Sequence, residues 1–222
     1  MSEFAAYWAR HADDLLEATL QHLTLTALVL ICSAILAALI AGALLHLEYA
    51  HEDAGWTARG RRLGQGVVTA LSALYSIPSL ALFALLIPIT GLGTTSAVVV
   101  MCLYNQFLLV RSVLEGVHSV DPSIIEAARG MGLNPRQVLV RIQLPLAVPA
   151  LMAGVRLAAV STIGIATVAA SINAGGLGLL LFSGLRTLNF NRIVGAMLAA
   201  TLIAVACDAL LRAAERALLR HR

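Results

Sequence analysis

The chain contains no lysine; all fifteen of its basic residues are arginine. The phosphate loop of nucleotide hydrolases sets a lysine directly after its glycines, so this chain does not bind ATP in that way. Schiff-base and lysine-nucleophile chemistry are excluded with it. Cysteine is scarce: Cys32, Cys102 and Cys207 lie far apart, each in an apolar run. Neither a disulfide framework nor a metal-ligand spacing is present, and the three read as small buried hydrophobes. His46 and His51 are five positions apart, not the helical four, so they do not share a helix face and no metal site is assigned. Charged residues make up 12% of the chain, against about 25% in a soluble protein. No Gly-x-Ser-x-Gly elbow, His-Glu-x-x-His helix or paired aspartate falls inside an apolar run, so no catalytic residue is assigned and an intramembrane enzyme is disfavoured. The near absence of charge in those runs also argues against ion coupling by a channel or secondary transporter working alone.

What is present in excess is apolar. Hydrophobic residues reach 59% of 222 and the mean hydropathy is +0.88, which describes an all-α polytopic membrane protein. Five spans are expected, over 23–47, 66–87, 96–110 extending toward 117, 146–171 and 193–211. Within the second, Pro78 bends the helix, and Pro88 ends it. Residues 1–22 precede the first span and are either a short interfacial amphipathic helix, with Phe4, Tyr7, Trp8, Leu15 and Leu16 on its apolar side, or a partly ordered tail. Residues 48–65 read as a charged loop. The glycines Gly175, Gly176 and Gly178 have the wrong spacing for a phosphate loop; they mark a flexible break or a re-entrant half-helix at 179–185, a short sixth piece.

Polar residues inside the spans are few. In lipid they persist only where protein buries them or a wet cavity receives them. Tyr75, Ser76, Pro78, Ser79, Tyr104, Asn105, Thr162 and Asn173 are therefore candidates for a translocation path, with a simple packing kink at Pro78 equally open. Arg156 lies roughly ten residues past Pro145, near mid-depth at about 1.5 Å per residue, and no acidic residue lies deep in another span. It is functional, or it snorkels or bonds free carbonyls at a subunit contact. The arginines also orient the chain. The first loop has three, 111–144 has four and the tail has four, against Arg10, Arg186 and Arg192 on the other side. The positive-inside rule puts the first loop, the polar segment and the C-terminus in the cytoplasm and the N-terminus outside. The sequence pI near 9.1 thus serves orientation, and no nucleic-acid partner is called for.

The longest polar interruption is residues 118–144. Asp121-Pro122-Ser123 is a helix start. Ile124, Ile125, Ala128 and Met131 share one face by spacing, Glu126 and Arg129 lie on the polar side, and Gly130 and Gly132 stop the helix. Asn134-Pro135 starts a second short helix bearing Val138, Leu139 and Ile142, which Pro145 separates from the next span.

Within this segment, Glu126-Ala127-Ala128 is followed after three residues by Gly132, after nine more by Ile142, and after one more by Leu144-Pro145. Seven positions at these offsets resemble the signature loop of ABC importer permeases, and the likeness extends from about Tyr75 to Arg186. The flanking text, Ile77-Pro78-Ser79 to Leu82, Met152 to Arg156 and Ala174-Gly175-Gly176-Leu177-Gly178, is similar to permeases for osmoprotectants such as glycine betaine, choline and carnitine. Methionine-importer permeases share the last run. Asn173 stands where many relatives have glycine. The resemblance implies a type I ABC importer permease: one transmembrane domain over 1–222, with 1–22 outside and 118–144 as the cytoplasmic coupling loop. It implies no cofactor in this chain, ATP and Mg being bound by two cytoplasmic ATPase subunits. Their grip falls on Glu126, Ala127, Ala128, Arg129, Gly130 and Gly132, with Ile142, Leu144 and Pro145 passing motion to the fourth span. A periplasmic or lipid-anchored solute-binding protein, a second permease subunit, identical or paralogous, and membrane lipid complete the expected partners in the inner (plasma) membrane. Carriage of methionine or another small polar solute is the alternative within the family, and an ATPase-independent channel or secondary transporter the alternative outside it.

Overall fold

The computed structural model describes residues 2–49 and 54–219; His51, Arg220 and Arg222 lie outside them. Two helices open the chain, α1 (Ser2–Arg10) and α2 (Ala12–Tyr49). Asp13 and Asp14 in the first turn of α2 complement its dipole. Next come α3 (Ala54–Tyr75), α4 (Ser79–Thr90) and α5 (Thr94–His118). The polar segment follows as α6 (Pro122–Gly130) and α7 (Pro135–Val138), a π-helical turn over Leu139–Gln143, and then α8 (Leu144–Ala169). A 3-10 turn over Ala170–Ile172 leads to α9 (Leu177–Thr187) and α10 (Phe190–Leu219). Among the described residues four helical runs are long and apolar enough to cross a membrane, and α3 with α4 makes a fifth if taken as one broken span. This is the expected all-α architecture and span count. At 11 residues, α9 reaches only about 16 Å, half a bilayer core.

Apolar surface is abundant. Ile31, Ile35 and Leu39 recur on one exposed face of α2, and Leu198, Leu202 and Val205 on α10. Such faces are liabilities in water and neutral in lipid. In the most apolar window of α5, 61% of residues are buried, against 11% for α10, so α5 is enclosed by protein while α10 is left to lipid or a partner chain.

The chain divides into two compact units. One holds the residues up to Cys32, Ile77–Leu103 and Ala159–Leu211. One cluster of its buried residues is Ala18, Leu177, Leu180 and Ala196, with Trp8, Leu15, Leu181 and Ile203 packed on it. The segment before the first span is therefore ordered helix rather than tail. The Trp8 indole donates to the Asn191 carbonyl at 3.2 Å, and the Asn189 amide donates to the Tyr7 hydroxyl at 3.3 Å. Gly195 lies against the Trp8 ring, and a methyl group there would overlap the indole. Gly195→Leu is expected to lift α1 off this unit; limited proteolysis should then cut faster at Arg10, while an unchanged cleavage rate would contradict the docking. At the other edge of the unit, Asn173 adopts φ +67 ahead of Gly175 and Gly176, both with positive φ. Asparagine is, after glycine, well suited to that conformation, which accounts for its place at this turn.

The other unit holds Ser33–Ser76, Tyr104–Ala158 and the residues from Arg212 onward. Here α5 and α8 approach through small residues. Gly116 faces Ala147 and Ala150, and Gly154 faces Ser112, the close contact expected of membrane helices. The Asn105 amide donates to the Ser33 hydroxyl at 3.2 Å.

Several sequence expectations are corrected. The charged loop over 48–65 is mostly helix: α2 runs through Glu48, and α3 begins at Ala54. Gly60 and Gly64 are buried while Arg59, Arg61 and Arg62 face outward, so the basic residues ride on a helix whose glycine face is packed. The bend expected at Pro78 is a full break in the helix: α3 stops at Tyr75 and α4 starts at Ser79, because Pro78 holds φ −56 and ψ 135. Pro88 does not end that span but lies inside α4. Pro145 does not separate the second short helix from the fourth span, since residues 135–172 form one continuous helical run. The π turn ahead of Pro145 resolves the clash its ring would otherwise make with the preceding turn.

Candidate functional site

The polar segment is built by its own capping chemistry. Asp121 Oδ1 accepts the Ser123 backbone N–H at 2.8 Å, and Pro122 occupies the first turn of α6. That bond, and a second from the Ser123 hydroxyl, hold the Asp121 carboxyl below its ordinary range. At the other end of α6, Leu133 N–H reaches the Ala128 carbonyl at 3.2 Å and Gly132 N–H the Arg129 carbonyl at 2.9 Å. This is a Schellman stop, which needs a left-handed residue after the last turn. Gly132 supplies it with φ +87. A capping box then starts α7: Asn134 Oδ1 accepts from Gln137 N–H, and Gln137 Oε1 accepts from Asn134 N–H, both at 2.9 Å.

The surface this produces is exposed. Glu126, Ala127, Arg129 and Gly130 are all exposed on α6, with Ile124 at 43% and Met131 at 73%. Ala128 is buried at 1% and Ile125 is half-buried. The single apolar face expected from spacing is thus divided: Ala128 anchors α6 to its own chain, while Ile124 and Met131 point away. Two large apolar groups, a carboxylate and a guanidinium thus lie exposed together on this short helix. The distal part of the segment is the foot. Ile142, Leu144 and Pro145 are half-buried, and the buried Gln143 donates to the Val117 carbonyl at 3.2 Å.

The candidate path residues fall in both units: Tyr75, Ser76, Tyr104, Asn105 and Arg156 in one, Pro78, Ser79, Thr162 and Asn173 in the other. Tyr75 and Tyr104 meet edge-on at 5.4 Å between centroids, and Phe107 is 5.0 Å from Tyr75. Asn105 turns toward Ser33, and Thr162 is fully buried. Ser76 and Pro78 are exposed and Ser79 half-buried at the helix interruption. Asn173 lines an open cavity of about 520 Å³ with Glu17, Gln21, Thr24 and Thr94. Arg156 pairs with the carboxylate of Glu215. The expectation that no acidic group reaches it is corrected: α10 continues to Leu219 and brings Glu215 alongside. Sequence reading also missed Glu48, buried at 4% and bonded to His118. A signal for it existed, because Ser33, Ala37, Ala41, Leu44 and Glu48 recur at helical spacing and all are buried.

Residues 53–222 match the family of binding-protein-dependent transport system inner membrane components. The chain belongs to this family. It is an ABC importer permease. It is 36% identical over 150 residues to the carnitine transport permease protein OpuCB of Listeria monocytogenes, covering 68% of this chain and 69% of that one. It is 29% identical over 218 residues to the choline transport system permease protein OpuBB of Bacillus subtilis, covering 98% and 94%. A further relative is the ergothioneine transport permease/ergothioneine binding protein EgtU of Helicobacter pylori, 39% identical over 142 residues; that alignment covers 64% of this permease and 26% of EgtU. Among solved structures, the inward-facing MetNI methionine ABC transporter superposes with a TM-score of 0.75 at 21% identity, covering 89% of this chain and 93% of that one. An amino acid ABC transporter gives 0.74 at 15%, covering 95% and 97%. At such identities the likeness is one of fold, that of the type I importer permease.

Proposed function

We propose that this permease carries a quaternary-ammonium osmoprotectant, such as glycine betaine, choline or carnitine, into the cytoplasm. ATP and Mg bind to partner ATPase subunits, one of which grips α6. The observation that carries the coupling role is the exposed surface of Ile124, Glu126, Arg129 and Met131, held by the Asp121 cap and the Gly132 stop and followed at once by the unbroken helical run 135–172 that contains α8. ATP-driven closure then biases inward- against outward-facing states. The substrate class is supported by the relatives, because carnitine, choline and ergothioneine all bear a trimethylammonium group. The arginine asymmetry supports a cytoplasmic C-terminus and an N-terminus outside the inner membrane. A solute-binding protein delivers the solute on that outer side, and a second permease subunit, identical or paralogous, completes the path. Tyr75, half-buried with the buried Tyr104 edge-on to it, is the aromatic group offered to a passing cation.

The test is uptake of labelled glycine betaine, choline and methionine in cells deleted for this chain and in complemented cells, at low and high osmolarity. Betaine or choline uptake is expected to disappear on deletion and return on complementation. A change confined to methionine would overturn the substrate and leave the family in place.

A further inference from the structure

We propose that Glu48 and His118 form a clasp that delivers motion of the coupling loop to α2; this rests on the ATPase-coupling reading above. His118 Nε2 lies 3.0 Å from both carboxylate oxygens of Glu48. The Glu48 side chain is 5% exposed and that of His118 21%. A carboxylate so enclosed is tolerated only with a hydrogen-bonded partner, and the pairing ties the last turn of α2 to the last residue of α5. Gly60 seats the joint: a Cβ there would collide with the Glu48 backbone, so α3 presses on the same point.

The location makes the joint mechanical. His118 stands three residues before Asp121, the cap of α6. Val117, its neighbour, accepts the Gln143 amide, and Gln143 is the last residue before α8. Both feet of the coupling loop are therefore fastened to each other and, through His118, to Glu48. Tyr49 adds a second thread, lying beside Gln143 and within electrostatic reach of Arg61 and Arg129. α2 itself lies outside the family match, which begins at residue 53. Farther along, α5 holds α2 through Asn105 and Ser33; the clasp is the joint nearest the coupling loop, where a push on α6 enters α5 and α8. With the clasp, α2 moves with them. Both members are positioning residues, since neither belongs to the exposed docking surface of α6.

The experiment uses the full transporter, with its ATPase and binding protein, in liposomes. It reads glycine betaine and choline accumulated per ATP hydrolysed, normalised to incorporated permease. Glu48→Ala is expected to keep the ATPase bound and hydrolysing while solute moved per ATP falls about tenfold, the scale of a typical coupling energy. His118→Ala should do the same, and the two together no worse than either, since residues in one interaction are non-additive. Glu48→Gln, which retains size and a hydrogen-bonding oxygen, should restore much of the ratio, as should the exchange Glu48→His with His118→Glu. Losses that track incorporated protein, with the ratio unchanged, would make the pair merely structural and overturn the clasp, as would additive losses. Absence of ATP-driven uptake by the unaltered transporter is a different result, and it would overturn the transport reading itself.

Discussion

Replacing Gly132 by Asp should leave the permease inserted at near-normal abundance and cut ATP-driven uptake about a hundredfold. The two halves of this result have separate causes. The backbone at Gly132 has φ +87, and any L-residue there pays about 1–2 kcal/mol. Aspartate is among the residues that tolerate it best. Beyond its chain neighbours nothing lies within 4 Å of where its Cβ would sit, so the side chain meets no packed group. The cost falls on the geometry of the Schellman stop and on the exposed surface beside Met131, where a partner has to close. Interface anchors lost in this way typically cost about 2–4 kcal/mol, which sets the hundredfold scale. Glu126→Arg should act alike by reversing an exposed charge without touching the core. The readouts are permease abundance in membranes, ATPase co-purification and uptake. Normal transport by both variants would remove α6 from the coupling role.

How much of this was legible in the sequence depends on whether the signal was local. The α6 start was read from Asp121-Pro122, and its stop from Gly132, because caps and left-handed turns are written in single residues. The spans were legible because apolar runs need no partner to be recognised. The differences share one physical origin: a charged residue in a sequence does not by itself mark solvent. Glutamate rarely continues a membrane helix, so Glu48 reads as loop, yet its position continues the buried stripe of α2 and His118 satisfies it. The last span was ended at 211 because arginines begin at 212. The sequence beyond, with Ala213, Ala214, Ala217, Leu218 and Leu219, is rich in strong helix formers and carries α10 on to Glu215 and Leu219. The shared face assigned to Ile124, Ala128 and Met131 had the right spacing, but spacing alone does not say which residues the chain itself covers. Tyr75 and Tyr104 were legible as aromatic groups within spans, whereas their ring contact depends on packing that no local pattern records.

Arg156 and Glu215 should be separable into a costly single change and a cheap double one. Their side chains are 24% and 16% exposed, so the pair is largely withdrawn from solvent. Removing one partner of such a pair strands the other charge, at a cost of about 3 kcal/mol. For a chain of this length that lowers the midpoint of thermal unfolding by about 6–12 °C. Arg156→Met is expected to show this loss, since methionine fills the stem volume but offers Glu215 no donor. Adding Glu215→Leu removes the stranded carboxylate, and the double variant should return to within about 1 kcal/mol of the natural protein, because buried pairs replaced by apolar groups are close to neutral. The measurement is thermal unfolding of detergent-solubilised permease, followed by the fraction remaining monodisperse. The same two variants separate structure from transport at Arg156. If the double variant regains stability and uptake together, the arginine serves packing between α8 and the end of α10. If stability returns and uptake does not, its charge acts on the transport cycle. A double variant as unstable as Arg156→Met alone would show that Glu215 is not the group the arginine neutralises, and the pairing as drawn would fail.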